Sequence, residues 1–166
     1  MIFAKADPHA VVIFYQTDFK FDGRWIDKSA MCSKMASQHG SHMLWHKICG
    51  VVEPGKVRCG SPGYTHMVAF SREVKLDPSK ATADVIPDRG TMIWPKAMGM
   101  DACILACALL KDITEKTGTL KCVVDPFCGE GTVLAVANQM GLDSLGVERS
   151  YKRCKKAAQF SGVALA

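Results

Sequence analysis

The residues best placed to do chemistry lie in the last third of the chain. Asp125-Pro-Phe-Cys-Gly-Glu-Gly-Thr132 follows the short apolar run Lys121-Cys-Val-Val124, and a second such run ends in Gly146-Val-Glu148, about 20 residues after the glycines. Gly129 and Gly131 strip side chains from a turn where a ligand has to approach the main chain. Free backbone N–H groups at such a turn, and at the start of the helix that follows, face the crevice beyond the carboxyl ends of parallel strands. Asp125 adds a carboxylate at the end of the first strand. Glu148 stands where an acid can accept from both hydroxyls of a ribose. Read together, these residues point to a ligand containing a nucleoside. The plainer alternative makes Asp125 a helix cap and Glu148 a solvated strand end.

Phosphate is not what this turn is built for. It lacks the Gly-Lys-Ser/Thr of a phosphate loop and carries no lysine, and Leu134 stands where the third glycine of a dinucleotide fingerprint belongs. An adenosine with a charged amino-acid tail suits an acidic, glycine-lined turn better.

The elements that must hold these residues are a strand over 121–124, a loop over 125–131, a helix over about 132–140 stopped by Gly141, a strand over 144–147 and a basic helix from Tyr151. That order is a βαβ unit, which packs as parallel strands with a right-handed crossover. A buried helix precedes it over Met98–Ile113. In the first half, residues 1 to 6 read as the tail of a helix and Ala10–Tyr15 as a buried strand. Gln16–Trp25 reads as a loop, and Asp27 as the cap of a helix through about His39 with Ile26, Ala30, Met31, Lys34 and Met35 at helical spacing. Ser41–Cys49 and Tyr64–Ser71 read as an antiparallel strand pair joined by a long Gly/Pro-rich loop. Glu73–Gly90 shows no period and reads as a surface linker. The chain is expected to be one domain, with a substrate-side half over 1–72, a linker over 73–93 and a cofactor half over 94–166.

Asp125-Pro-Phe-Cys-Gly-Glu-Gly-Thr132 followed by Met140-Gly-Leu-Asp-Ser-Leu-Gly-Val-Glu148 resembles motifs I and II of the S-adenosylmethionine-dependent methyltransferases, in the form typical of enzymes acting on exocyclic amino groups of nucleic acids. The resemblance implies an α/β fold with a Rossmann-like sheet, mostly parallel and closed by an antiparallel hairpin. It implies S-adenosylmethionine as cofactor, with Asp125, Phe127, Gly129 and Gly131 at its methionine end and Glu148 at its ribose. Pro126, Cys128 and Thr132 of the same turn join this set, as do Met98 and Gly99 of Trp94–Asp101, a helix-like segment placed as the family's motif X. The motif order, with the cofactor unit last, resembles the circularly permuted members. On that footing Ala10–Tyr15 matches the fifth strand of the fold, and the two later strands match its closing hairpin. The family's catalytic Asp/Asn/Ser-Pro-Pro-Tyr/Phe/Trp loop does not occur in the sequence. A chain shortened at its amino terminus is one account of this, and a catalytic loop diverged beyond recognition is another. Gln16, Asp18, Trp25 and Lys28 are the substrate-side candidates, and no catalytic residue is assigned.

Composition sets the outer bounds. The chain has 166 residues, is 48% hydrophobic and 22% charged, and carries a formal net charge of +5, which suits a globular domain with a nucleic-acid partner without requiring one. No apolar stretch approaches the roughly 20 residues of a membrane span, and the start does not read as a secretory signal. An intracellular protein, cytoplasmic or nuclear, is expected. Eight cysteines without a Cys-x-x-Cys pair read as reduced packing residues, although Cys103 and Cys107 are spaced as half a metal site. No metal is expected. His46 and His66 read as strand histidines. The run Lys152, Arg153, Lys155 and Lys156 reads as a solvated helix face, and Lys56 and Arg58 on the long loop are the better phosphate contacts. Three functions stay open: methyl transfer to a base amino group of RNA or DNA, a cofactor-binding subunit completed by a partner chain or a second copy, and methyl transfer to a small molecule or protein.

Overall fold

Strand-forming residues dominate the first half of the chain and helix-forming ones the second, and the computed structural model follows that division. It describes residues 2–79, 81–118 and 122–160. In chain order the elements are α1 (Ile2–Lys5), β1 (Val12–Gln16), β2 (Phe19–Phe21), β3 (Arg24–Ile26), α2 (Lys28–Gln38), β4 (His42–Gly50), β5 (Tyr64–Ser71), β6 (Val85–Ile86), α3 (Met100–Thr117), β7 (Cys122–Asp125), α4 (Thr132–Gln139), β8 (Asp143–Gly146) and α5 (Tyr151–Gln159). Two compact units divide the chain between Asp88 and Arg89.

The first unit is built on a four-stranded sheet in the order β1-β5-β4-β6. β5 runs antiparallel to both β1 and β4, with Phe14 opposite Val68 and Trp45 opposite Ala69. This is the closing hairpin the sequence implied, with the strand over Ala10–Tyr15 beside it. β5 is almost wholly buried because it is the inner strand of the three. On one face Phe3, Phe14 and Phe70 pack at ring separations of 5.6 to 6.3 Å, with Ala36 of α2 and Val68 completing the cluster. Asp27 caps α2 by accepting from the Ala30 N–H at 2.8 Å.

Within the stretch expected to be a linker, β6 pairs in parallel with β4, Ile48 opposite Val85 and Cys49 opposite Ile86. The fully buried Lys47 holds it there, its Nζ donating to the carbonyls of Ala83 at 2.8 Å and Thr82 at 3.3 Å and lying 3.5 Å from the Asp84 carboxylate. Gly50 lets the Pro87 carbonyl approach: a Cβ there would lie 1.9 Å from its oxygen. Val85 and Ile86 are too short a run to show a period, which is why the pairing was not legible.

The expected loop over Gln16–Trp25 is instead a β-hairpin, with β2 and β3 paired antiparallel through Phe19 and Ile26, Lys20 and Trp25, and Phe21 and Arg24. Its two-residue turn is Asp22-Gly23, both at positive φ (49° and 70°), as a tight hairpin of native twist requires. That Asp-Gly pair between alternating aromatics was the available signal.

The second unit carries the βαβ order. β7 and β8 are parallel, with Val123 opposite Ser144 and Asp125 opposite Gly146. Lys121, expected to begin the first strand, lies outside the described residues, as does Met1. α3 buries a stripe of Ala102, Cys103, Ala106, Cys107 and Ile113, spaced at helical intervals, and ends at Gly118 in the left-handed conformation. Val136 and Ala137 of α4 and Leu142 join Cys103 and Cys107 in its core. All eight cysteines are free. The fold class is the expected α/β, but the described pairings are mixed rather than mostly parallel: β4–β6 and β7–β8 are parallel, β1–β5, β4–β5 and β2–β3 antiparallel. The physical reason is that β5 runs antiparallel between β1 and β4 at the heart of the first unit's sheet.

Candidate functional site

The glycine turn is assembled by backbone hydrogen bonds that extend the parallel ladder past the strand ends. Val147 N–H donates to the Asp125 carbonyl at 2.9 Å and Cys128 N–H to the Val147 carbonyl at 3.1 Å. Gly131 N–H closes the turn on the Cys128 carbonyl at 2.8 Å, and α4 starts at the next residue. Glu148 is thereby set beside the turn. Gly146 makes this approach possible, since a Cβ there would meet Leu134 at 2.4 Å and the Cys128 Sγ at 2.8 Å.

Both loop glycines adopt positive φ, 57° at Gly129 and 89° at Gly131. Their missing side chains also admit neighbours from the protein itself. A Cβ on Gly129 would stand 2.4 Å from the indole of Trp94, and one on Gly131 would stand 3.0 Å from the Ala157 Cβ of α5. The sequence reading assigned this space to a ligand. The structure gives part of it to Trp94, which comes from the segment placed as motif X.

That segment is not helical. Trp94–Gly99 runs through turns, and α3 begins only at Met100 with Gly99 as its cap. Pro95 and the residues around Gly99 explain this: a Cβ on Gly99 would lie 2.3 Å from the Arg89 carbonyl, so a glycine is needed there. Met98 packs against the second unit's core. The Arg153 guanidinium lies 5.2 Å from the Trp94 ring centroid and 4.0 Å from the Glu148 carboxylate, linking α5 to both. Lys156 pairs with Glu130 at 2.7 Å. The basic run on α5 is therefore partly engaged with the turn and not simply a solvated face.

Asp125 is half-buried, and its Oδ1 accepts from the Phe127 N–H at 2.9 Å. Burial raises its pKa from the ordinary carboxylate value, and the Phe127 hydrogen bond only partly opposes this. A desolvated carboxylate of this kind gains most from a cationic ligand group. Thr132, at the start of α4, is buried with an unpartnered Oγ1, and a buried hydroxyl in that state is a group awaiting a partner. Phe127 projects into solvent with 81% of its surface exposed, Pro126 is exposed beside it, and Cys128 is buried with a raised thiol pKa, chiefly through burial. The Glu148 Oε1 accepts from the Ser150 N–H at 2.7 Å, which fixes the carboxylate's direction. An orphaned buried hydroxyl, a desolvated carboxylate and a fixed second acid together fit a nucleoside ligand with a cationic tail.

The substrate-side candidates of the first unit are brought together around Asp18. This residue is 3% exposed; its Oδ1 accepts from the Lys28 N–H at 2.9 Å, and its Oδ2 accepts from Trp25 Nε1 at 3.1 Å. His66 Nε2 stands 3.0 Å from the same Oδ2, and His66 Nδ1 lies 2.8 Å from His46 Nε2. A hydrogen-bonded chain thus runs from the buried carboxylate to the exposed His46, whose pKa is lowered by burial and by His66. The sequence reading treated these histidines as strand residues and missed the chain, because nothing local ties residue 18 to residues 46 and 66. Gln16 ends β1 opposite His66 and makes no part of it.

The comparisons bear on the whole chain. The N6/N4 methyltransferase family, described as DNA methylase, matches residues 105–159. No curated protein sequence matches significantly. Among solved structures, TTHA0409 of Thermus thermophilus, assigned as a DNA modification methylase, is similar with a TM-score of 0.67 at 16% identity, covering 95% of this chain and 70% of that one. Its complex with S-adenosyl-L-methionine gives a TM-score of 0.64 at 19% identity, over the same shares. The M1.HpyAVI–SAM complex gives 0.59 at 12% identity, covering 92% of this chain and 74% of that one. At these identities the likeness to solved structures is one of fold. The family match covers the glycine turn and the helices on either side of it, and the likeness of fold covers nearly the whole chain.

Proposed function

We propose that the chain binds S-adenosylmethionine on the turn Asp125–Thr132 and transfers its methyl group to an amino group of a nucleic-acid base, with DNA the first substrate to test because the matching family is a DNA methylase. The observation that carries the reading is that one turn opens on the desolvated Asp125 carboxylate and closes on the orphaned Thr132 hydroxyl, with the directed Glu148 carboxylate held alongside by the Val147 ladder bonds. Asp125 and the turn residues Pro126, Phe127, Cys128, Gly129, Gly131 and Thr132 hold the methionine end. Glu148 takes the ribose hydroxyls, and Met98 and Gly99 stand on the side of the amino-acid tail. When bound, the cofactor supplies a methyl group made electrophilic by its sulfonium. The protein's share is to orient the acceptor amine and to keep water out. A base within a duplex has to be turned out of the stack to be reached.

A second reading, a cofactor-binding subunit completed by a partner chain or a second copy, is favoured by one observation. Val124, Leu145 and Val147 present one apolar face of β7, β8 and the residue beyond, each 56–58% exposed. Calorimetric titration of the 166-residue chain with S-adenosylmethionine, beside a Glu148→Ala variant, tests the first part. Micromolar binding that the variant loses supports the site, whereas a folded chain with no heat and no thermal shift overturns it. Labelled-methyl transfer to DNA, RNA and protein then separates an active enzyme from a subunit that binds without turnover.

A further inference from the structure

Nothing in the cofactor reading uses the hairpin of β2 and β3, yet it exposes more aromatic surface than any other element of the first unit. Phe21 is 69% exposed, Trp25 47% and Phe19 41%. Side chains alternate across a strand, and directly opposed residues share a face. One face therefore carries Phe19 and Phe21 with Arg24, and the other carries Trp25 with Lys20. The cations stay close to the rings: Lys28 Nζ lies 5.2 Å from the Phe19 centroid, and Lys20 Nζ lies 5.7 Å from that of Trp25.

We propose that this hairpin is a platform for unpaired bases of the nucleic-acid substrate, with Phe19 and Phe21 stacking on bases while Arg24 and Lys28 meet the phosphates on that face, and Trp25 with Lys20 offering the same pairing of ring and cation on the other. The inference rests on the methyltransferase reading for its partner and adds the surface that receives it and the single-stranded form it prefers. Phe19 and Phe21 are spaced about 6.8 Å along the strand, roughly twice the rise of a stacked base. Aromatic faces accept any base, and neighbouring cations follow the backbone, which is the usual chemistry of single-strand binding. Charge complementarity selects this occupant over an apolar protein surface. The platform is also held ready in advance. Trp25 Nε1 donates to the buried Asp18 carboxylate, the Lys28 N–H donates to its other oxygen, and His66 on β5 stands at the same carboxylate. Ordering that is already present in the free protein is not charged against binding.

The test is fluorescence anisotropy of a labelled single-stranded DNA of about 12 nucleotides, within the span a single-strand site covers, the same sequence as RNA and the matching blunt duplex, with the full chain at two salt concentrations. Phe21→Ala, at an exposed position outside the core, is expected to weaken single-strand binding roughly 5- to 150-fold, the range for losing one stacked base, with duplex binding changed less than about twofold. Phe21→Trp restores it. A Lys20→Ala/Arg24→Ala double variant is expected to weaken all three ligands and to flatten the salt dependence. Single-strand quenching of tryptophan emission that disappears in Trp25→Phe supports stacking on the second face. Unchanged single-strand affinity in Phe21→Ala overturns the inference, and so does equal binding of single strand and duplex by the parent chain. Cofactor binding is measured on the same samples by thermal shift. Retained cofactor binding with no oligonucleotide binding assigns the aromatics to a protein partner and overturns this inference alone, while absent cofactor binding overturns the methyltransferase reading instead.

Discussion

Asp125→Asn separates binding from folding at one atom. The amide keeps the shape of the side chain and an oxygen to accept the Phe127 N–H, which the carboxylate now accepts at 2.9 Å. It removes the charge. In the free protein that charge is a burden, because burial raises the Asp125 pKa above its ordinary value of 3.8. A carboxyl whose folded pKa is raised carries no penalty below its unfolded value, and the penalty grows as pH rises from that value until it is complete above the folded one. The variant should therefore match the parent in thermal stability in acid and exceed it at neutral pH, with the gap opening above the ordinary carboxylate range. Cofactor binding should move the other way. Hydrogen bonds to charged groups contribute about 1.5–3 kcal/mol, so loss of the charge facing a cationic tail should weaken binding roughly 10- to 150-fold. Differential scanning calorimetry of both proteins from about pH 3 to about pH 8, which spans the ordinary carboxylate value and the range above it, with and without S-adenosylmethionine, reads both effects. A variant less stable than the parent at neutral pH, or one that binds the cofactor equally well, would refute the desolvation argument.

Two further outcomes test the packing. Gly129→Ala places a Cβ 2.4 Å from the Trp94 indole at a φ of 57°, and should lower stability by about 1–3 kcal/mol; in a double-mutant cycle by urea unfolding, Trp94→Ala should recover the steric part, and strict additivity would show that Trp94 is not the obstruction. Asp27→Ala should lose about 1 kcal/mol of helix capping at neutral pH. The Ala30 N–H holds the Asp27 pKa low, so the difference between the two proteins should shrink as pH falls through that lowered value, with Asp27→Asn retaining the cap without the pH dependence; a pH-independent gap in chemical denaturation would contradict it.

What the sequence determined by itself is the part of the molecule whose physics is local. A strand ending in Asp125, two glycines that must take positive φ, a helix stopped at Gly141 and an acid at 148 specify a βαβ turn within a few tens of residues. The closing strand pair over Ser41–Cys49 and Tyr64–Ser71 and the Asp27 cap were legible for the same reason, since alternation and capping are read from neighbours. Tertiary structure decided everything that depends on meetings across the chain. Trp94 fills the space above Gly129, Lys47 clamps β6 from 35 residues away, and Asp18 gathers Trp25, Lys28 and His66 into one hydrogen-bonded group. The hairpin at Asp22-Gly23 lies between these cases. Its turn was written locally, but its aromatics are outward-facing, and only the tertiary structure shows a surface where composition suggested a loop. A buried polar group takes whichever partner the fold brings to it, and sequence spacing carries no record of that choice.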